Sequence, residues 1–152
     1  MFGPTSQITK AGDMPKVVVN SCWGGFGISK AGMLRYAELK DITLYPEPSQ
    51  FGMMTYYTVP AEQRVQSLSP EQWQAATTKQ RMANNDAYRK QTIHCSDIPR
   101  DDPALVQMVE ELGDAAAGQY AELRITAVPD DVKWTIEEYD GKEWVAEVHR
   151  TW

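Results

Sequence analysis

Cysteine is scarce: Cys22 and Cys95 are the only two in 152 residues. That excludes a disulfide scaffold and points to free thiols in a reducing cytoplasm. Histidine is equally scarce, with His94 and His149 alone. No pair among these four has C-x-x-C or H-x-x-x-H spacing, so no metal site is expected. No apolar run nears the ~20 residues of a membrane span. The opening stretch, MFGPTSQITKAGDMPK, has no apolar segment of the kind a secretory leader needs. A basic surplus is missing too. The formal net charge is −6, the reverse of what a duplex-binding protein carries.

What is present fits one compact domain. The chain is 42% hydrophobic and 24% charged, so its core needs neither disulfide nor metal. The charge is unevenly spread. Residues 1–100 hold 11 Lys/Arg against 8 Asp/Glu, whereas residues 101–152 hold 4 against 13. An acidic half of this kind keeps a protein soluble or meets a basic partner.

Local patterns predict the elements. Residues 1–15 read as a flexible arm. The β-branched run KVVVN (16–20) reads as a buried strand. A glycine loop, Gly24-Gly25-Phe26-Gly27, follows, and Ser29 suits the N-cap of a helix over 30–40. Short strands are expected at 42–45, ended by Pro46 and Pro48, at 53–59 and at 91–95. Ser69-Pro70 with Gln72 marks a capping box, and the helix it opens is expected to reach about residue 87. Asp102-Pro103 opens another helix, which Gly113 or Gly118 ends. Alternating strands follow at 120–128 and 132–138. For the last turn, a three-residue loop Tyr139-Asp140-Gly141 keeps charge off the apolar face. It places Trp134, Ile136 and Trp144 on one buried side, with Lys133 opposite Glu147.

Chemistry has few places to sit. The glycine loop runs from a strand to a helix start, where free N–H groups and glycine's slimness can cradle a phosphate. Lys30 would add charge, Asn20 lies at the mouth, and Trp23 or Phe26 could stack on a base. The spacing is neither G-x-x-x-x-G-K-[ST] nor G-x-G-x-x-G. The same loop also fits a tight turn that buries Trp23 and Phe26. Lys79, Arg81, Arg89 and Lys90 form a basic helix that either clamps phosphate or faces solvent. The end of the chain, with Glu147, His149, Arg150 and Trp152, is either a ligand edge or a lock on the last strand. A cysteine–histidine nucleophile pair has no family signature around Cys22.

Three segments carry a resemblance: Val17-Val18-Val19-Asn20-Ser21-Cys22-Trp23-Gly24-Gly25-Phe26-Gly27-Ile28-Ser29, then Arg100-Asp101-Asp102-Pro103 through Glu110-Glu111-Leu112-Gly113, then Val128-Pro129-Asp130-Asp131 through Glu138-Tyr139-Asp140-Gly141 to the terminal His149-Arg150-Thr151-Trp152. Together they resemble a set of short phage and prophage proteins. The resemblance covers about residues 16–40 and 98–152 and leaves a variable insertion around 46–95. It implies a phage-type accessory role, such as counter-defence by sequestering a nucleotide signal.

The expected fold is therefore a single α+β domain over 16–152. It has a mixed or antiparallel sheet, two to three flanking helices and a C-terminal β-hairpin. The expected function is binding, without turnover, of a small phosphorylated or nucleotide ligand by a cytoplasmic homo-oligomer. No cofactor, metal, duplex nucleic acid or membrane is expected to take part. The candidate ligand residues are Asn20, Trp23, Gly24, Gly25, Phe26, Gly27, Ser29, Lys30, Arg81, Arg89, His149, Arg150 and Trp152. The alternative is an inhibitor that turns its acidic half on a basic host protein. A small hydrolase ranks third, since no catalytic constellation stands out.

Overall fold

The computed structural model describes residues 15–49 and 53–148. The expected arm, apart from Pro15, lies outside them, as do His149, Arg150 and Trp152. In chain order the elements are β1 (Lys16–Asn20), α1 (Lys30–Leu39), β2 (Tyr45–Pro48), β3 (Met54–Tyr57), α2 (Pro70–Ala75), α3 (Thr78–Lys90), β4 (Thr92–Ile93), α4 (Pro103–Leu112), β5 (Leu123–Ala127), β6 (Trp134–Tyr139) and β7 (Lys142–Glu147). The fold is α+β, and every strand pairing among the described residues is antiparallel. The strands form three small sheets: β1 with β5, β2 with β3 and β4, and β6 with β7. Among the described residues no helix is long and apolar enough to cross a membrane. The chain divides into two compact units, one up to Tyr36 and from Ile98 onward, the other Ala37–Asp97.

The first unit is organised by β1. Val17, Val18 and Val19 are all buried, so both faces of this strand are covered and its pattern is continuous rather than alternating. Val17 and Val19, with Val128, pack against Val132, Trp134, Ile136 and Val145. Alternation turns Val18 the other way. α4 packs on β1 and buries Ala104, Leu105, Val106, Met108 and Val109. The start of α4 is fixed as its sequence predicts. The Asp102 carboxylate accepts from the Ala104 amide at 2.8 Å, Pro103 fills the first helical position, and Gly113 follows the last turn with φ 57°. The same carboxylate accepts from the buried Tyr36 hydroxyl at 2.8 Å. Burial, reinforced by that neighbouring carboxylate, pushes the Tyr36 pKa well up, so the hydroxyl remains a donor.

The second unit departs from expectation twice. Pro46 and Pro48 do not end a strand at Tyr45; they lie inside β2, which spans Tyr45–Pro48. The position is tolerated because β2 is an edge strand with one paired side. The helix opened by Ser69 stops at Ala75 instead of running to about residue 87. Ala76 is extended (φ −78°, ψ 149°), and a second capping box, Thr77 with Gln80, opens α3. The Ser69–Gln72 box itself is formed in both directions.

The hairpin register also differs. The turn has two residues, Asp140 and Gly141, with φ 51° and 90°, the left-handed pair of a type I′ turn. Trp134 therefore lies opposite Glu147, Ile136 opposite Val145 and Trp144 opposite Glu137. Trp134 and Trp144 fall on opposite faces, and Trp144 is 44% exposed. Lys133 lies beside Val148 rather than Glu147. The acids that the three-residue loop would have kept off the inner face are Glu143 and Glu147; Glu147 is exposed at the end of β7, and Glu143 has a part-buried cationic partner there. The type I′ twist, which matches paired strands, then prevails.

The crossing at Gly141 is tight. A Cβ there would stand 2.5 Å from the Trp23 carbonyl oxygen and 2.7 Å from the Gly25 nitrogen. Gly113 also has positive φ, but it faces open space. Gly113→Ala should cost about 1–3 kcal/mol in urea denaturation from backbone conformation alone. Gly141→Ala should cost more, because the neighbouring chain must also move. Equal losses at the two positions would contradict the close crossing.

Candidate functional site

β1 has two hydrogen-bonding edges, and β5 covers only one. The other edge is completed by side chains and a loop. The Val18 amide donates to the Arg100 carbonyl at 2.8 Å. The Val18 carbonyl accepts from Arg100 Nη1 at 3.3 Å, and the Asn20 amide donates to Glu143 Oε1 at 2.8 Å. Arg100 and Glu143 join in a two-pronged ion pair, Nη1 to Oε1 at 2.6 Å and Nη2 to Oε2 at 2.8 Å. Their side chains are 19% and 10% exposed. Arg100 also lies over the Phe26 ring, 3.5 Å from its centroid. Burial alone would raise the Glu143 pKa. The hydrogen bonds from Arg100 and Asn20, with the Arg100 charge, outweigh it and hold the carboxyl below its usual value.

Asn20, fully buried, saturates its side-chain amide within the chain. Nδ2 donates to the Cys22 carbonyl at 2.6 Å and the Gly141 carbonyl at 2.7 Å, while Oδ1 accepts from the amides of Glu122 at 2.9 Å and Cys22 at 3.3 Å. Two donors and two acceptor sites are thus filled, and no capacity is left for a ligand.

The glycine loop is used for chain crossings. A Cβ at Gly24 would run into the Tyr120 backbone, and the Gly118 amide donates to the Gly27 carbonyl at 3.0 Å. Gly25 has φ 95° beneath Gly141. Ser29 caps α1: its hydroxyl accepts from the Gly32 amide at 3.0 Å and donates to the Ala115 carbonyl at 2.5 Å. Lys30 is exposed on the first turn. Trp23 is 58% exposed, edge-on to Tyr139 with ring centroids 6.1 Å apart. The loop therefore gathers Asn20, Phe26 and Ser29 into packing contacts and leaves Trp23 and Lys30 outward.

Arg81 and Arg89 belong to the other unit. Arg81 is spent locally: Nε donates to the Trp73 carbonyl at 2.8 Å, Nη2 to the Gln74 carbonyl at 3.3 Å, and the guanidinium lies over the Trp73 ring. The Arg89 guanidinium, one residue from the end of α3, makes no hydrogen bond or ion pair among the described residues; its backbone carbonyl accepts from the Thr92 hydroxyl at 3.4 Å. It opens onto a polar groove of about 410 Å³ with Ser67, Asn84, Asn85, Thr92 and His94. Asn84 is held by the Gln66 carbonyl at 3.2 Å, while His94 Nδ1 lies 2.7 Å from the Ser96 hydroxyl. The groove's one carboxylate, Asp97, accepts from the His94 amide at 3.1 Å. Cys22 and Cys95 are not joined in a disulfide.

Sequence inspection missed Arg100 and Glu143. The available signal was an acid on an apolar stripe: the two-residue turn puts Glu143 on the inner face, and such a charge requires a buried cation. The groove on α3 was signalled only by Asn84-Asn85 and Arg89 on successive turns of a helix with no buried residue. Comparison with known proteins adds no assignment: no family model, no curated protein and no solved structure matches the chain.

Arg100→Met should cost about 1–3 kcal/mol, because it strands a part-buried carboxylate. Acid should also act through this pair. A carboxyl held below its ordinary value of 4.5 contributes stability that is present above that value and lost as pH falls through its folded pKa. Urea unfolding at pH 7 and pH 3 should therefore show a loss in wild type that shrinks in Glu143→Gln. An equal loss in both proteins would remove Glu143 from the acid response.

Proposed function

We propose that the chain is a non-catalytic accessory protein that binds a small phosphorylated ligand in the groove of α3. The observation that carries this reading is the unpaired guanidinium of Arg89, set among amides, hydroxyls, an imidazole and one carboxylate, Asp97, that is engaged by the His94 amide. A guanidinium offers a planar fork of donors that matches two phosphate oxygens. Asn85 lines the same groove, and its side-chain amide can donate to a remaining oxygen. The resemblance to phage and prophage proteins is consistent with sequestration rather than turnover, and a nucleotide is the ligand class it favours.

Titration calorimetry with inorganic phosphate and with nucleoside monophosphates, at low salt, tests the reading. Arg89→Ala should lower affinity about tenfold to a hundredfold, since a hydrogen bond to a charged group is worth about 1.5–3 kcal/mol. Arg89→Lys should recover part of it. Arg81→Ala should change little, because Arg81 is engaged on Trp73 and Gln74. Absence of binding to every probe, or binding indifferent to Arg89, would sink the proposal.

A further inference from the structure

The outer face of the β6–β7 hairpin is unusual for a solvent-facing surface. Trp134, Ile136 and Val145 point inward, so Glu137, Tyr139, Lys142 and Trp144 point outward. Tyr139 is 69% exposed and Trp144 44%, and Trp23, 58% exposed, stacks edge-on against Tyr139. The backbone that carries these rings is fixed before any partner arrives. Gly141 crosses directly over the Trp23 carbonyl, while Tyr139 and Trp144 sit on paired strands. Exposed tryptophan and tyrosine are the side chains that anchor protein interfaces.

Charge identifies the partner's chemistry. The stretch from Trp134 to Val148 holds five carboxylates and one ammonium, that of Lys142. Lys142 already lies over Trp23, 5.3 Å from its ring centroid, so this aromatic surface accepts a cation. Glu138 is tied to the Gly141 amide at 2.8 Å and Glu143 to Arg100. Glu137, opposite Trp144, and Asp140, in the turn, have no cationic partner among the described residues. Aromatic faces beside free carboxylates match arginine, which stacks flat on a ring and pairs a carboxylate with the same guanidinium. Phosphate-rich strands would meet repulsion from the same acids.

We propose that Trp23, Tyr139 and Trp144, rimmed by Glu137 and Asp140, dock an arginine-bearing segment of a protein partner. The surface does not involve the α3 groove, so the two proposals stand or fall separately. Fluorescence anisotropy of the full chain with a labelled Arg-Gly decapeptide tests it. Wild type should bind, and Tyr139→Ala and Trp144→Ala should each weaken binding by about tenfold, the scale of a desolvated cation–π contact. The pair Glu137→Gln with Asp140→Asn should weaken it and flatten its salt dependence, asparagine being suited to the left-handed turn position. Glu110→Gln with Asp114→Asn, acids on and just after α4, should bind as wild type does. If Trp144→Ala lowers the melting temperature, Tyr139→Ala carries the test alone. Three results would overturn the proposal: no binding by wild type, binding unaffected by loss of either ring, or tighter binding of a labelled dT decamer to the same face.

Discussion

The part-buried pair of Arg100 and Glu143 is what the rest of the first unit depends on. A strand covered on both faces and paired on one edge still has N–H and C=O groups on its second edge, and water cannot reach them. Extending the sheet would be one answer. Here the answer is a guanidinium, a carboxylate and one loop carbonyl, which together meet Val18 and Asn20. A buried ion pair is weak evidence for added stability, since desolvating two charges costs about as much as their attraction returns. Its role here is specification. Glu143 can satisfy Asn20 and Arg100 only if β7 stands in one register, so the pair selects the hairpin alignment as well as closing the strand.

The glycines belong to the same arrangement. Asn20 donates to the Gly141 carbonyl, and Gly141 in turn lies against Trp23 and Gly25. Bare backbone at Gly24, Gly25 and Gly141 lets three chain segments approach closely enough for one asparagine to bind several of them. A loop that resembles a phosphate cradle in sequence thus becomes a junction in space. Both uses rest on the same property, that glycine admits another group close to the main chain. Which group enters is decided by residues far along the chain.

That distance sets what could be read from the sequence. Local signals were legible: the valine run of β1, the Ser69–Gln72 capping box and the Asp102-Pro103 helix start each depend on neighbours within a few residues. The break at Ala76 was legible as well, because Thr77 and Gln80 repeat the capping pattern, but helix-forming residues on both sides mask it. The hairpin register was not, since it depends on Arg100, 43 residues before Glu143. Of the candidate site residues, the loop members were identifiable by type. Their partners, Tyr120, Glu122 and Gly141, come from segments that no spacing rule connects to the loop.

The split of one helix into α2 and α3 has a kinetic consequence. Neither helix contains a buried residue, and isolated helices this short are marginal in water. Their amide protons are protected mainly by local hydrogen bonds and caps, with α3 tied to its unit only through part-buried contacts such as Tyr88 with Tyr57, whereas those of β1 are sealed beneath packed side chains. In hydrogen exchange, α2 and α3 will open by fraying one turn at a time on a low free-energy scale, while β1 will exchange only when its unit unfolds as a whole.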